Sequence, residues 1–407
     1  MISFDLSPRV AEMKNMIHSL AEQAMRPIAR EFDEREHEDP TEFQNLIWSL
    51  SGGRLFGSGD DAPATEKPSG PREGNLAACV NVEELSWGDA GLYLSIPNAG
   101  LGGAAVMAAG TPAQKQRFLG AFSQGAPKWG AMAITEPHCG SDSAALQTTA
   151  VRDGDEWVLN GTKIFCTSGE RALRSGGFIV VWATVDRSAG RAGIKSFVVE
   201  SGTAGIKVIK VEDKLGIRAS DTAMLVLEDC RLPADNVLGS ADVKPTTEGF
   251  KGAMATFDAT RPLVAASALG IGQAALDLAR EELTQRGVEI RYGCSDARLT
   301  AIERDFMDAE ADLQAARLLT WRAAWMMDRG LRNNLEASMA KAKAGLAVTR
   351  VTQKCVEILG PLGYSRELLL EKWMRDAKIN DIFEGTQQIN MLIVARRILG
   401  YSSKDLS

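Results

Sequence analysis

From about residue 129 to 240 the apolar pattern has the two-residue period of strands, whereas on both sides of that block it has helical spacing. "EWVLNGTKIFCT", "GGFIVVWATV", "IKSFVVE", "IKVIKV" and "AMLVLEDC" are β-branched runs bounded by turn residues. In the first of them Asn160-Gly161 predicts a tight hairpin, because both residues accept positive φ. The block therefore predicts a compact antiparallel barrel or sandwich. Ahead of it, "SPRVAEMKNMIHSLAEQAMRPIAREFDE" is helical, and "GTPAQKQRFLGAF" opens with Thr111 as N-cap and Pro112 at the first helical position. Behind it, "RPLVAASALGIGQAALDLAREELTQR", "AIERDFMDAEADLQAARLLTWRAAWMM" and "EASMAKAKAGLAVTRVTQKCVEIL" are each long enough for a bundle, and a last helix covers roughly 386–399. The expected architecture is α+β, with an N-terminal helical domain (1–128), a β-domain (129–240) and a C-terminal four-helix bundle (241–407).

A chain of 407 residues suits two or three domains, and 45% hydrophobic residues suffice for a large core. The net charge of −7, with no Lys/Arg block, argues against nucleic acid and anionic membranes as partners. No apolar stretch reaches the roughly 20 residues of a membrane span, and the N-terminus resembles neither a secretory core nor a transit peptide. The six cysteines (79, 139, 166, 230, 294, 355) are scattered without a C-x-x-C pair, which fits reduced thiols in a cytoplasmic protein. Histidines at 18, 37 and 138 are too dispersed to predict a metal cluster. Residues 51–74, rich in Gly, Pro, Ser and charge, predict a surface loop.

Several motifs have ordinary readings. "GIGQAA" (270–275) looks like a dinucleotide fingerprint, but it lies inside a helical pattern, which favours close helix packing. "SMAK" (338–341) reads as surface decoration, and "GLGG" (100–103) as a turn or close packing. "AITEPHCGSDSAALQT" (133–148) is either an ordinary turn or a cradle for a polar ring edge or pyrophosphate. "LNGTKIFCTSG" (159–169) puts Phe165 and Thr167 on one strand face, able to stack on a flat ring and bond its heteroatom. In "DIFEGTQQIN" (381–390), Glu384 stands between Phe383 and Gly385 just ahead of a helix, either as an N-terminal helix acid or as a reactive carboxylate.

Those stretches, together with "KLGIRASDTAMLVLEDCRLPADNVLG", "FDATRPLVAASALGIGQAALD" and "KWMRDAKINDIFEGTQQINMLIVARRILG", resemble the acyl-CoA dehydrogenase family of FAD flavoproteins. The resemblance runs over most of the chain. It implies a flavin between the β-domain and the bundle, and dehydrogenation of an acyl-CoA thioester to a trans-2-enoyl-CoA. By resemblance Glu384 is the base that removes the α-proton while the β-hydrogen leaves as hydride. Burial in a dry pocket walled by Phe383 raises such an acid, outweighing the helix N-terminus, and Gly385 leaves the backbone open to the thioester. The resemblance further implies that Met132, Ile134 and Thr135 line the flavin, with Ser141 near it and near the substrate. Thr167 would bond the N5 edge and Phe165 pack on the ring. Thr386 and Gln388 would lie near the diphosphate and adenosine, and Asp258 and Arg261 near the CoA pantetheine. Some relatives carry the base at the position of Thr260, which cannot serve.

The chain departs from the family where a subunit usually reaches its neighbour's FAD. Glu289 replaces an Arg, Tyr292-Gly293 replaces Phe-Gly, Thr300 replaces a Gln, and "EILGP" (357–361) replaces Gln-Ile-Leu-Gly-Gly. A carboxylate beside a diphosphate repels it, and Pro361 lacks a donor. The expectation is a tetramer in which a paralogous subunit completes the FAD site, as in bacterial relatives acting on bulky steroid side-chain esters; a homotetramer is the alternative. The segment 51–74 replaces a Pro-Glu-Tyr-Gly-Gly-type stretch, which implies altered entry to the acyl pocket. Electron-transfer flavoprotein is the expected acceptor, against the rival readings of a flavin oxidase or a non-catalytic partner subunit.

Overall fold

The computed structural model describes residues 5–51, 72–123, 125–243 and 248–401, with backbone only for 248–255. Most of the loop expected over 51–74, and with it the entry to the acyl pocket, lies outside the described residues.

Seven strands form one curled sheet: β1 (Gly130–Ala133), β2 (Thr149–Asp153), β3 (Glu156–Thr167), β4 (Phe178–Thr184), β5 (Ile194–Glu200), β6 (Ile206–Val211) and β7 (Thr222–Pro233). One layer is β1-β4-β5 and the other β2-β3-β7-β6, joined where Thr149 meets Thr184. The sheet is not wholly antiparallel as the sequence suggested, because β1 and β4 pair in parallel. The alternation along β4 explains the layering. Ile179, Val181 and Ala183 point between the layers toward Leu159, Phe197 and Leu225. Phe178, Val180 and Trp182 point outward and are covered by Trp48, Val106 and Phe118.

Asn160-Gly161 is not a hairpin turn. The turn is at Gly154-Asp155, between the paired Asp153 and Glu156, and β3 runs straight through Asn160. Asn160 instead faces a bulge in β7, where its Oδ1 accepts from the Asp229 amide at 2.8 Å. Gly161 serves a close approach: a Cβ there would lie 2.4 Å from Thr148 Oγ1.

The N-terminal helices are α1 (Pro8–Leu20), α2 (Ala29–Glu34), α3 (Thr41–Ser51), α4 (Gly74–Ser95), α5 (Gly100–Ala109) and α6 (Pro112–Gly120). Thr111 caps α6 in a reciprocal capping box with Gln114, as the sequence predicts. In "GLGG", Gly100 and Gly102 let α5 touch β1: a Cβ on either would fall 2.5 Å from a β1 carbonyl. A short helix, α7 (Gly169–Arg174), follows β3.

The C-terminal helices are α8 (Glu248–Gln285), α9 (Ala301–Asp328), α10 (Asn334–Leu359), α11 (Pro361–Tyr364), α12 (Leu370–Ala377) and α13 (Gln387–Leu399). Small residues along them, including Ala268, Ala275, Ala316, Ala340 and Ala347, allow close packing of one shared core. The "GIGQAA" glycines belong to that packing. A Cβ at Gly270 would sit 2.1 Å from the Glu83 carbonyl of α4, and one at Gly272 2.6 Å from Leu313 Cδ1 of α9. By length and mean hydropathy Thr256–Gln285 passes as a membrane span although its apolar residues form no unbroken run; 72% of its most apolar window is buried inside the protein.

Helix α4 breaks at Asp89, whose φ of −168° is extended. The Asp89 carboxylate recaps the chain by accepting from the Leu92 amide at 2.8 Å, and it also pairs with buried Lys372 of α12. Lys372 pairs with Asp376 at 2.6 Å, and two carboxylates hold its ammonium charged despite burial. This cluster fixes the N-terminal helices against the bundle. The cysteines are free; Cys294 is exposed and the other five are buried.

Candidate active site

Glu384 sits between a one-turn 3-10 segment (Lys378–Asp381) and α13. Its φ is +56° and that of Gly385 is +88°, so two successive left-handed residues turn the chain sharply. Such a conformation costs a non-glycine residue about 1–2 kcal/mol, and surrounding contacts must enforce it. Lys341 Nζ donates to the Gly385 carbonyl at 2.7 Å, and Asn390 Nδ2 donates to the same oxygen at 2.9 Å. Thr386 then caps α13, its Oγ1 accepting from the Ile389 amide at 3.2 Å.

The turn sends the Glu384 carboxylate inward, where its Oε2 meets Thr260 Oγ1 at 2.9 Å. Burial drives its pKa above the ordinary carboxylate range; the Thr260 hydroxyl, Arg261 and Lys341 oppose that rise without cancelling it. The residue keeps partial surface exposure while protein surrounds the acid, as expected of a group facing a recess. Phe383 and Gly385 are likewise half-buried. Lys341 is 1% exposed, and burial lowers its pKa to about 8 against the pull of Glu384 and Asp381.

The turn of α8 below Glu384 carries Asp258, Thr260 and Arg261. Pro262 follows, and it cannot donate to the Asp258 carbonyl one turn back. Arg261 Nη1 pairs with Asp258 Oδ1 at 2.7 Å, while its buried Nε has no partner. That orphaned donor suits a ligand carbonyl or phosphate. Tyr93, on the second half of α4, also feels the Glu384 charge, and burial pushes its phenol up.

A second cluster lies at the start of the sheet. Buried Glu136 accepts from Lys163 Nζ at 2.7 Å, from the Thr148 amide at 2.9 Å and from the Gln147 amide at 2.6 Å. Lys163, fully buried in β3, also donates to the Ile134 carbonyl at 3.1 Å, and the Ile164 amide donates to the Thr135 carbonyl at 2.9 Å. Met132, Ile134 and Thr135 are thereby held beside the end of β3. There a bulge gives Phe165 a φ of +57° and leaves the residue 59% exposed, with Cys166 buried and Thr167 half-buried beyond it. The hydroxyls of Thr135, Ser141 and Thr167 make no hydrogen bond among the described residues. Phe257 of α8 packs on the same apolar cluster as Met132 and Ile134, which joins this region to the Glu384 region.

An exposed aromatic ring, apolar neighbours and three free hydroxyls fit the flat, polar-edged flavin that the resemblance implies. Thr386 is half-buried and Gln388 exposed, on the first turn of α13. His138 Nε2 lies 3.6 Å from Glu136 Oε2, with Cys139 beside them. The Glu136 oxygens, however, are already engaged by Lys163, Thr148 and Gln147.

"SMAK" is not surface decoration. Ser338 and Lys341 are buried in α10, and Lys341 reaches the Glu384 turn. The signal was present in the spacing of Ala337, Lys341, Ala344 and Val348, which puts the lysine on the apolar stripe of its helix. Tyr93 and the Glu136–Lys163 pair carry no such local signal.

Three sequence-family models match the chain in order. They are "Acyl-CoA dehydrogenase, N-terminal domain" over residues 7–126, "middle domain" over 131–230 and "C-terminal domain" over 247–399. The chain is 39% identical over 389 residues to the short-chain specific acyl-CoA dehydrogenase, mitochondrial, of Rattus norvegicus, covering 95% of this chain and 89% of that protein. Butyryl-CoA dehydrogenase from Megasphaera elsdenii superposes with a TM-score of 0.84 at 34% identity, over 98% of this chain and 100% of that one. A chain from the structure described as an electron transferring flavoprotein of Acidaminococcus fermentans gives 0.83 at 34% identity, over 98% and 100%.

Proposed function

The chain belongs to the acyl-CoA dehydrogenase family, and from that premise we propose that Glu384 is the base with which it removes the α-proton of an acyl-CoA thioester. FAD is the cofactor, and when bound it takes up the β-hydrogen as hydride. The observation that carries the reading is the Glu384 turn itself. An acid is forced into a strained inward conformation, enclosed by protein, and raised in basicity by burial.

The chain's own residues divide the work. Glu384 takes the α-proton. Its backbone N–H, made accessible by Gly385, donates to the thioester oxygen and stabilises the developing enolate, a contribution of about 2.7–4 kcal/mol for one such donor. Phe383 helps exclude water. Arg261, oriented by Asp258, offers its free Nε toward the CoA chain. Met132, Ile134, Thr135 and Phe165 would hold the isoalloxazine, Thr167 its N5 edge, with Ser141 bordering both ligands and Thr386 and Gln388 on the diphosphate side. The product is the trans-2-enoyl thioester. Short straight acyl groups are the first substrates to test, since the Rattus norvegicus and Megasphaera elsdenii relatives carry short-chain and butyryl names.

Electron-transfer flavoprotein is the proposed acceptor and the cytoplasm the proposed compartment. The assembly we propose is a tetramer with a paralogous subunit that completes the FAD site. Two features support this. The residues at the departing positions serve their own chain: Thr300 caps α9 with Glu303, and the Tyr292 hydroxyl donates to Glu310 Oε2 at 2.7 Å. Helix α13 also leaves Met391, Leu392, Ile398 and Leu399 more than half exposed.

The test is anaerobic mixing of the flavin-loaded protein with butyryl-CoA and with longer, branched and steroid thioesters, following flavin bleaching. E384Q is expected to bind thioester and not bleach, and bleaching of that variant at the wild-type rate would remove Glu384 from its role. Peroxide formed in air without an added acceptor would instead favour an oxidase.

A further inference from the structure

Thr260 is 7% exposed, and its hydroxyl lies within reach of two acceptors. The Thr256 carbonyl is 3.1 Å away, one turn back in α8, and Glu384 Oε2 is 2.9 Å away. A hydroxyl has one hydrogen and two lone pairs, so it cannot donate to both at full strength. When Glu384 is ionised its oxygens only accept, and the Thr260 hydrogen belongs on them. When Glu384 holds a proton on Oε2, that O–H needs an acceptor. The Thr260 oxygen can then accept while its hydrogen turns to the Thr256 carbonyl, a back-bond open to Ser and Thr in helices.

We propose that Thr260 is a positioning residue that partners Glu384 both before and after proton transfer, by turning its hydroxyl between the Glu384 carboxylate and the Thr256 carbonyl. The inference rests on the dehydrogenase reading above. In that reaction the Cα–H bond breaks and an O–H bond forms on Glu384. The C–H electron pair stays on the substrate and becomes the new π bond as the β-hydrogen leaves with its own pair. The acceptor therefore becomes a donor within a single step. With the new proton on Oε2, the oxygen that Thr260 meets, a fixed donor would face it hydrogen to hydrogen, and a group that turns avoids that clash.

The other groups facing Glu384 cannot do this. Arg261 on α8 and Lys341 on α10 are donors only while protonated. Tyr93 on α4 feels the Glu384 charge, but no hydrogen bond joins the two among the described residues. Valine at 260 has nearly the same shape as threonine, so the role can be removed with little disturbance of the helix.

The experiment follows Glu384 itself, by infrared difference spectra of flavin-loaded wild type and T260V across pH without substrate, with E384Q identifying the band. A hydrogen bond to a charged group is worth more than one to a neutral group, so T260V is expected to raise the Glu384 pKa by about one pH unit. The C=O band of the protonated acid is expected at higher frequency, because its O–H has lost its acceptor. The acidic limb of bleaching by butyryl-CoA is expected to move alkaline by the same amount, and T260S to restore all three. An unmoved pKa, an unmoved acid band or failure of T260S to restore them overturns the proposal; T260A serves if the valine variant does not fold. If none of the thioesters bleaches the wild type, the dehydrogenase reading fails, and the substrate-free spectra still decide the role of the hydroxyl.

Discussion

At the scale of single residues, the site is a contest between burial and charge. Burial raises Glu384, and two cations hold it within reach of ionisation. One of them is itself a titrating group, because Lys341 loses its proton near pH 8. Below that pH the ammonium favours ionised Glu384 and donates to the Gly385 carbonyl. Above it, the charge is gone and Glu384 becomes harder to ionise. The bleaching rate is therefore expected to show an inflection near pH 8 that K341M removes, with the K341M acidic limb displaced to higher pH. Stopped-flow reduction across pH checks both. An inflection that survives in K341M would assign it to another group.

At the scale of elements, the segment that follows β1 is positioned by one buried ion pair. Lys163 joins Glu136 and the Ile134 carbonyl, so the same ammonium fixes two points of the segment. Burial raises Glu136 in isolation, yet Lys163, Thr148 and the Gln147 amide bring it below its ordinary value. Removing one member of a buried pair strands the other charge at a cost of about 3–5 kcal/mol. K163M is expected to lose stability on that scale in denaturant unfolding and to bind FAD more weakly; K163M/E136Q is expected to recover part of the loss. Equal stability of K163M and wild type would mean that the pair is solvated. This pair was illegible in sequence because its partners are 27 residues apart and meet only through strand pairing. The Asn160-Gly161 reading failed for a related reason. Local turn chemistry favoured a hairpin, but pairing with β7, about 70 residues downstream, kept Asn160 in a strand. What was legible was local or periodic: the Thr111 cap, the packing glycines of α8, and α13 with the acid ahead of it. Lys341 was hidden by its residue type, since a lysine on an apolar stripe reads as polar surface until its neighbours are counted.

At the scale of the whole molecule, the break in α4 ties together parts distant in sequence. Asp89 and Lys372 join helices nearly 300 residues apart, and the same break delivers Tyr93 toward Glu384. Assembly belongs to this scale too. Expressed alone, the chain is expected to hold FAD substoichiometrically and to fill when a paralogous subunit is co-expressed; full occupancy in the solo protein would end the heteromer proposal. Cys294 follows directly on Tyr292-Gly293, in the segment that the family resemblance led us to expect near a neighbouring subunit. Its thiol is open to water while the five others are enclosed, so the protein comes with a built-in attachment point for a single dye. Slow maleimide reaction in the filled complex and fast reaction in the free chain would make subunit docking visible as a change in labelling speed.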